Sequence, residues 1–127
     1  MENDPLWKGC GKREKFIGYC TCLGHDLSRF EQYRDHRTLQ DVHSFDHGEK
    51  SGDILEEGEF VFEELSGEDL QTVCRAVRMH NKKSIAENYP QDELLFAKLV
   101  RDADKLSILK VVLDFFRTPE GERSEDI

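Results

Sequence analysis

Gly24-His25-Asp26-Leu27-Ser28-Arg29-Phe30-Glu31-Gln32 sets a histidine and an aspartate side by side at the end of an apolar helical pattern. The residues leading into it, Phe16, Tyr19, Cys20, Leu23 and Leu27, recur at the three- and four-residue spacing of one helix face, so His25 and Asp26 fall near the C-terminal end of a core-facing stripe. Further along, His47, His80 and Asp104 each interrupt a pattern of the same kind. A lone buried charge or imidazole is costly, and a shared cation offsets that cost. Polar groups of this type on several helices therefore point to a metal site inside an all-α fold.

Outward from this stretch the spacing predicts order from about Arg13, with Arg29 to Arg34 continuing the first helix as an amphipathic turn. Asp35 to His43 reads as a polar connection, Ser44 as an N-cap and Asp46 as an acid in the first turn of a second helix. On that helix His47 precedes Ser51, Ile54 and Leu55, and Gly48 with Gly52 forms a face where another backbone could approach. Glu56-Glu57-Gly58 ends it. The segment with Phe60, Phe62 and Leu65 fits a short helix or an extended stretch equally well. Ser66, with Asp69 three residues on, caps a helix whose stripe is Leu70, Val73, Cys74, Val77 and His80. After a polar loop from Asn81 to Gln91, Leu94 to Phe116 is rich in apolar residues. Asp104 lies on its line Phe96, Ala97, Val100, Ile108, Val111, where a bend or break is expected. The organisation is an arm (1–12), one helical domain (13–118) and a solvated tail (119–127), without internal repeats.

Composition narrows the function. With 18 Lys+Arg against 27 Asp+Glu, the net charge of −9 disfavours a nucleic-acid polymer as partner, because phosphate contacts need a basic stripe. A mean hydropathy of −0.69 and the start Met1-Glu2-Asn3-Asp4-Pro5 give no membrane span and no signal peptide, so a cytoplasmic location is expected. The four cysteines, Cys10, Cys20, Cys22 and Cys74, then read as reduced thiols. Phosphate loops, nucleophile elbows and dinucleotide fingerprints are absent. Asp102-Ala103-Asp104 begins like a calcium loop, but Leu106 and Ser107 stand where that loop needs an oxygen ligand and a glycine. His43 sits one helical turn before His47, yet precedes the helix, and reads as a surface group. Three imidazoles with two carboxylates suit manganese, iron, zinc or magnesium.

At these residues the chain resembles the HD-domain superfamily of metal-dependent phosphohydrolases, over roughly Gly24 to Phe116. The quoted stretch looks like the family's His-Asp dyad, Asp46-His47-Gly48-Glu49 like its next histidine motif, Arg78-Met79-His80-Asn81-Lys82 like the third and Arg101-Asp102-Ala103-Asp104-Lys105-Leu106 like the last. The resemblance implies a compact helical bundle in which His25, Asp26 and Asp104 ligate a divalent metal. By the same likeness His47 and His80 hold a second metal or contact phosphate, and Arg29, Lys82 and Lys105 meet a small phosphorylated substrate. Asp26 and Lys105 become the implied catalytic residues: metal-activated water attacks a phosphoester while cation and lysine offset the developing charge. Two departures stand out. The family's first histidine, on a helix upstream of the dyad, has no counterpart here, as if the domain were N-terminally truncated, and Ser28 replaces the usual glycine. Cys10, Cys20 or Cys22 could stand in for that histidine. A degenerate metal- or nucleotide-binding protein is the alternative, as is a metal-free helical module whose open apolar face takes a partner or a second copy in a homodimer.

Overall fold

The computed structural model describes residues 11–58, 64–65 and 67–122. Among them there are five α-helices and no strand: α1 (Lys12–Gly24), α2 (Arg29–His36), α3 (His47–Glu56), α4 (Gly67–Met79) and α5 (Leu94–Arg117). The expected all-α class holds. Most of the arm, the segment around Phe60 and Phe62, the Ser66 cap and the last residues of the tail lie outside the described residues.

The core forms around α4, which packs against α1, α3 and α5. Its stripe is the one the spacing predicts, with Val73, Cys74 and Val77 fully buried and Ala76 beside them. Leu55 from α3, Ile17 and Cys20 from α1, and Phe96 and Val100 from α5 close around it. Each large apolar side chain buried in this way contributes roughly 1.5–3 kcal/mol before entropy is counted. Charged clamps fix the outer faces. Arg75 donates to both carboxylate oxygens of Glu93 at 2.9 and 3.0 Å, and Arg78 reaches Asp53 and Glu56 across the α3–α4 seam. Arg13 pairs with Asp69 between α1 and α4.

Several local expectations are corrected. On α1 the buried line is Ile17, Cys20, Thr21 and Gly24, while Leu23 faces solvent. Small residues rather than large ones carry this face, because Gly24 lies against Leu55, where a Cβ would come within 3.1 Å of the leucine side chain. Arg29–His36 is a helix of its own, separated from α1 by a turn over residues 25–28. The N-cap of α3 is Asp46, whose carboxylate accepts from the Gly48 and Glu49 amides; Ser44 instead accepts a hydrogen bond from Gln32. Gly48 and Gly52 give room to side chains, not to a backbone: Asn81 and the Arg78 stem occupy the space a Cβ would need. Finally, α5 runs unbroken through Asp104. Its first half is core, but Leu106, Leu109, Val111, Leu113 and Phe116 are exposed, so Val111 does not extend the buried line. No helix among the described residues is long and apolar enough to cross a membrane.

Candidate metal centre

His25 and Asp26 sit in the turn that ends α1, His47 opens α3, His80 directly follows α4 and Asp104 lies midway along α5. The turn after the dyad is stapled to α3. The Ser28 hydroxyl donates to the His47 carbonyl at 2.8 Å and accepts from Ser51 at 2.9 Å, while the Ser28 amide donates to Ser51 at 3.0 Å. All of these groups are buried, so the serine in place of a glycine is fully satisfied here. Arg101 of α5 donates to the Lys82 and Lys83 carbonyls, which fixes the loop that begins at His80.

Three imidazoles are oriented in the same sense. The Nδ1 atoms of His25 and His80 lie 2.6 and 2.5 Å from the carbonyls of Cys22 and Val77, and that of His47 lies 2.7 Å from Asp41 Oδ2. A carbonyl or carboxylate oxygen only accepts, so each Nδ1 carries a proton and each ring turns its Nε2 toward the cluster. One ligand atom each from His25, Asp26, His80 and Asp104 fits within a 4.8 Å span. His25 Nε2 is 3.3 Å from Asp26 Oδ2 and 3.6 Å from Asp104 Oδ1. His47 Nε2 stands 3.0 Å from His80 Nε2, two acceptor atoms that tolerate such an approach only with a proton or a cation between them.

Asp26 Oδ1 is the plainest sign. It is buried without a hydrogen-bond partner, yet His47 Nε2, His80 Nε2 and Arg29 Nε surround it at 3.6, 3.8 and 3.9 Å. That spacing is too long for hydrogen bonds and leaves room for a cation. The residues present therefore fit a divalent metal. Electrostatics agree. Burial works to lower the His25 pKa, but the Asp104 hydrogen bond and the Asp26 charge outweigh it and the net direction is up. His80 moves down, chiefly through burial and then through the neighbouring imidazoles, which favours its neutral form. Asp104 is held below the usual carboxylate range by His25.

The HD-domain family model matches residues 11–109. The chain belongs to the HD-domain family. No curated protein and no solved structure matches it. The family is one of metal-dependent phosphohydrolases, and the His/Asp cluster of this HD domain is the kind of donor set that such proteins use for divalent cations.

The structure brings His25, Asp26, His47, His80 and Asp104 together, with Asp26, His47, His80 and Asp104 lining one cavity and His25 against the carboxylates, and leaves His36 and His43 exposed on the surface. Neither Cys20 nor Cys22 joins the cluster: Cys20 lies in the core with its thiol pushed up to about 11 by burial, and Cys22 contributes its carbonyl. The second-tier cations differ in freedom. Lys82 is 2.6 Å from Asp46 and 3.3 Å from Glu49, and Arg29 Nη1 donates to Gln32 and to the Leu39 carbonyl. Lys105 is exposed at the cavity edge with no ion pair among the described residues. Asp41, absent from any sequence motif, and Gln32, the last residue of the dyad stretch, also reach the site, through Arg29 and His47.

Proposed function

We propose that this HD domain is a metal-dependent phosphohydrolase acting on a small phosphoester, with His25, Asp26 and Asp104 as the ligands of a divalent cation. The observation that carries the reading is the unpartnered, buried Asp26 Oδ1 at the meeting point of oriented imidazoles. A bound divalent cation supplies Lewis acidity, making water nucleophilic near neutral pH and offsetting charge on a phosphoryl oxygen. Mixed imidazole and carboxylate donors favour manganese, iron or zinc over magnesium. Asp26, with one oxygen toward His25 and the other toward the His47–His80 pair, orients the attacking water. His47 and His80 bind a second cation or the phosphate.

Substrate size and charge follow from the cavity, about 660 Å³ and lined by Lys105, Lys82 and Arg29 on its polar side and by Leu39, Val111 and Val112 on the other. That volume suits a small organic ligand rather than phosphate alone. Because Lys82 and Arg29 already face carboxylates, Lys105 is the free cation for phosphate, which favours a monophosphate ester with an apolar or planar body, a nucleoside monophosphate among them. The partner in this reading is the small phosphoester; a net charge of −9 disfavours a nucleic-acid polymer.

The second reading is a domain that binds without turning over. It is favoured by the donor set: among the described residues the ligand atoms gathered within 4.8 Å of one another come from His25, Asp26, His80 and Asp104, and His47 stands outside that group. Misplacement of a loosely held cation alone can cost about 100-fold in rate. Hydrolysis of phosphomonoesters with added manganese, with and without chelator, tests both. We expect slow, chelator-sensitive turnover lost in Asp26→Ala. Bound metal with no turnover selects the second reading, and turnover indifferent to chelator rejects the first.

A further inference from the structure

Asp41 lies in the connection between α2 and α3, at the start of a 3-10 turn over Asp41–His43. Its half-buried carboxylate gathers five donors from three segments, α2, α3 and the loop after α4. Oδ2 accepts from the His47 backbone amide at 3.1 Å, from His47 Nδ1 at 2.7 Å and from Asn81 Nδ2 at 3.4 Å. Oδ1 accepts from Gln32 Nε2 at 2.9 Å and Arg29 Nη1 at 3.3 Å. Only donors face it, so an ionised carboxylate fits and an amide does not: an asparagine that aimed its oxygen at His47 would turn its NH2 onto Gln32 and Arg29.

We propose that Asp41 is a positioning residue that holds His47 in the Nδ1–H form, with the Nε2 lone pair in the cavity, and fixes Arg29 beside it. His25 and His80 have backbone carbonyls for this purpose, which any residue type at positions 22 and 77 would supply. His47 is the one imidazole of the three whose orientation depends on a side chain. Neutral imidazole in water prefers the opposite, Nε2–H form, in which the cavity would see a donor where a cation needs a lone pair. Arg29 is set by the same carboxylate: with Nη1 held by Gln32, the Leu39 carbonyl and Asp41, its Nη2 rests 3.4 Å from His47 Nε2. Without Asp41, ring and guanidinium lose their common anchor.

The consequence for catalysis rests on the phosphohydrolase reading, but the test does not. Long-range proton–nitrogen correlation spectra of the metal-free, nitrogen-15-labelled protein, recorded where His47 is neutral, report which ring nitrogen carries the proton. The parent protein should show His25, His47 and His80 all as Nδ1–H. Asp41→Ala should move His47 alone toward Nε2–H while His25 and His80 keep their pattern, which also shows that the variant is folded. Should Asp41→Ala fail to fold, Asp41→Asn serves instead, with an Nε2–H fraction at His47 that the parent lacks. A parent spectrum with His47 as Nε2–H overturns the proposal, as does an unchanged His47 in whichever folded variant is read. Either result leaves the metal reading at His25, Asp26 and Asp104 standing, and a protein that binds no metal leaves the tautomer measurement equally valid.

Discussion

Two groups of histidines divide this small domain. His25, His47 and His80 are each anchored at Nδ1 and converge on two carboxylates, whereas His36 at the end of α2 and His43 in the α2–α3 connection lie exposed, His36 packed edge-on against Phe45. All five occur within one short chain and look alike in composition. The difference lies in what holds the ring: a helix-terminal carbonyl or an ionised carboxylate fixes the direction of the inner three, while the outer two stand exposed at the surface.

The largest effect that would sharpen this division is on metal affinity. Loss of a group that orients a ligand typically costs 10–100-fold, so loss of the ligand itself, in Asp104→Ala or His25→Ala, should cost at least about 100-fold by calorimetric titration with manganese. His36→Ala and His43→Ala should leave the isotherm unchanged. Equal affinities in all four variants would break the distinction between inner and outer rings.

Next in size is the support beneath the dyad. Leu55 is fully buried against Gly24, one residue before His25, and Leu55→Ala should lose about 2–5 kcal/mol in urea denaturation. Leu109→Ala, at an exposed site of α5, should stay within about 0.5 kcal/mol of the parent.

A smaller effect comes from the cap of the helix that carries His47. Asp46→Ala should cost about 1 kcal/mol near neutral pH. Burial works to raise the Asp46 pKa, but Lys82, Asn81 and the Glu49 amide outweigh it and hold it well below the ordinary value. A depressed folded-state pKa means that this stability is present above the unfolded value of 3.8 and is lost as the pH falls through the folded one. Parent and variant should therefore converge in acid, and a gap that widened there would contradict the sign.

Proton competition gives the subtlest effect. Because the His25 pKa is raised in the metal-free protein, a cation must displace a proton held to higher pH than on an ordinary histidine. Apparent manganese affinity should climb with pH through and above the usual histidine range. A flat profile from pH 6 to 8 would remove His25 from the ligand set.

Much of this was legible in the sequence, for definable reasons. The apolar spacing of Val73, Cys74 and Val77 gave α4 directly, and the placement of His25, His47, His80 and Asp104 on such stripes anticipated their meeting in one cluster. What escaped was long-range or made of small groups. Asp41 looks like any loop acid until the fold carries it against His47, and Thr21 and Gly24 form a buried face that no search for large apolar residues would find. Leu106 to Phe116 erred the other way, since apolar periodicity alone does not reveal that this half of α5 extends past its neighbours among the described residues.

The central claim, that the inner rings and carboxylates form a cation site, is tested most directly by anomalous scattering from crystals grown with manganese. The account predicts a peak within bonding distance of His25 Nε2 and of carboxylate oxygens from Asp26 and Asp104. Manganese found only at surface groups such as His36 or His43, with the Asp26 cavity empty at full occupancy elsewhere, would contradict it.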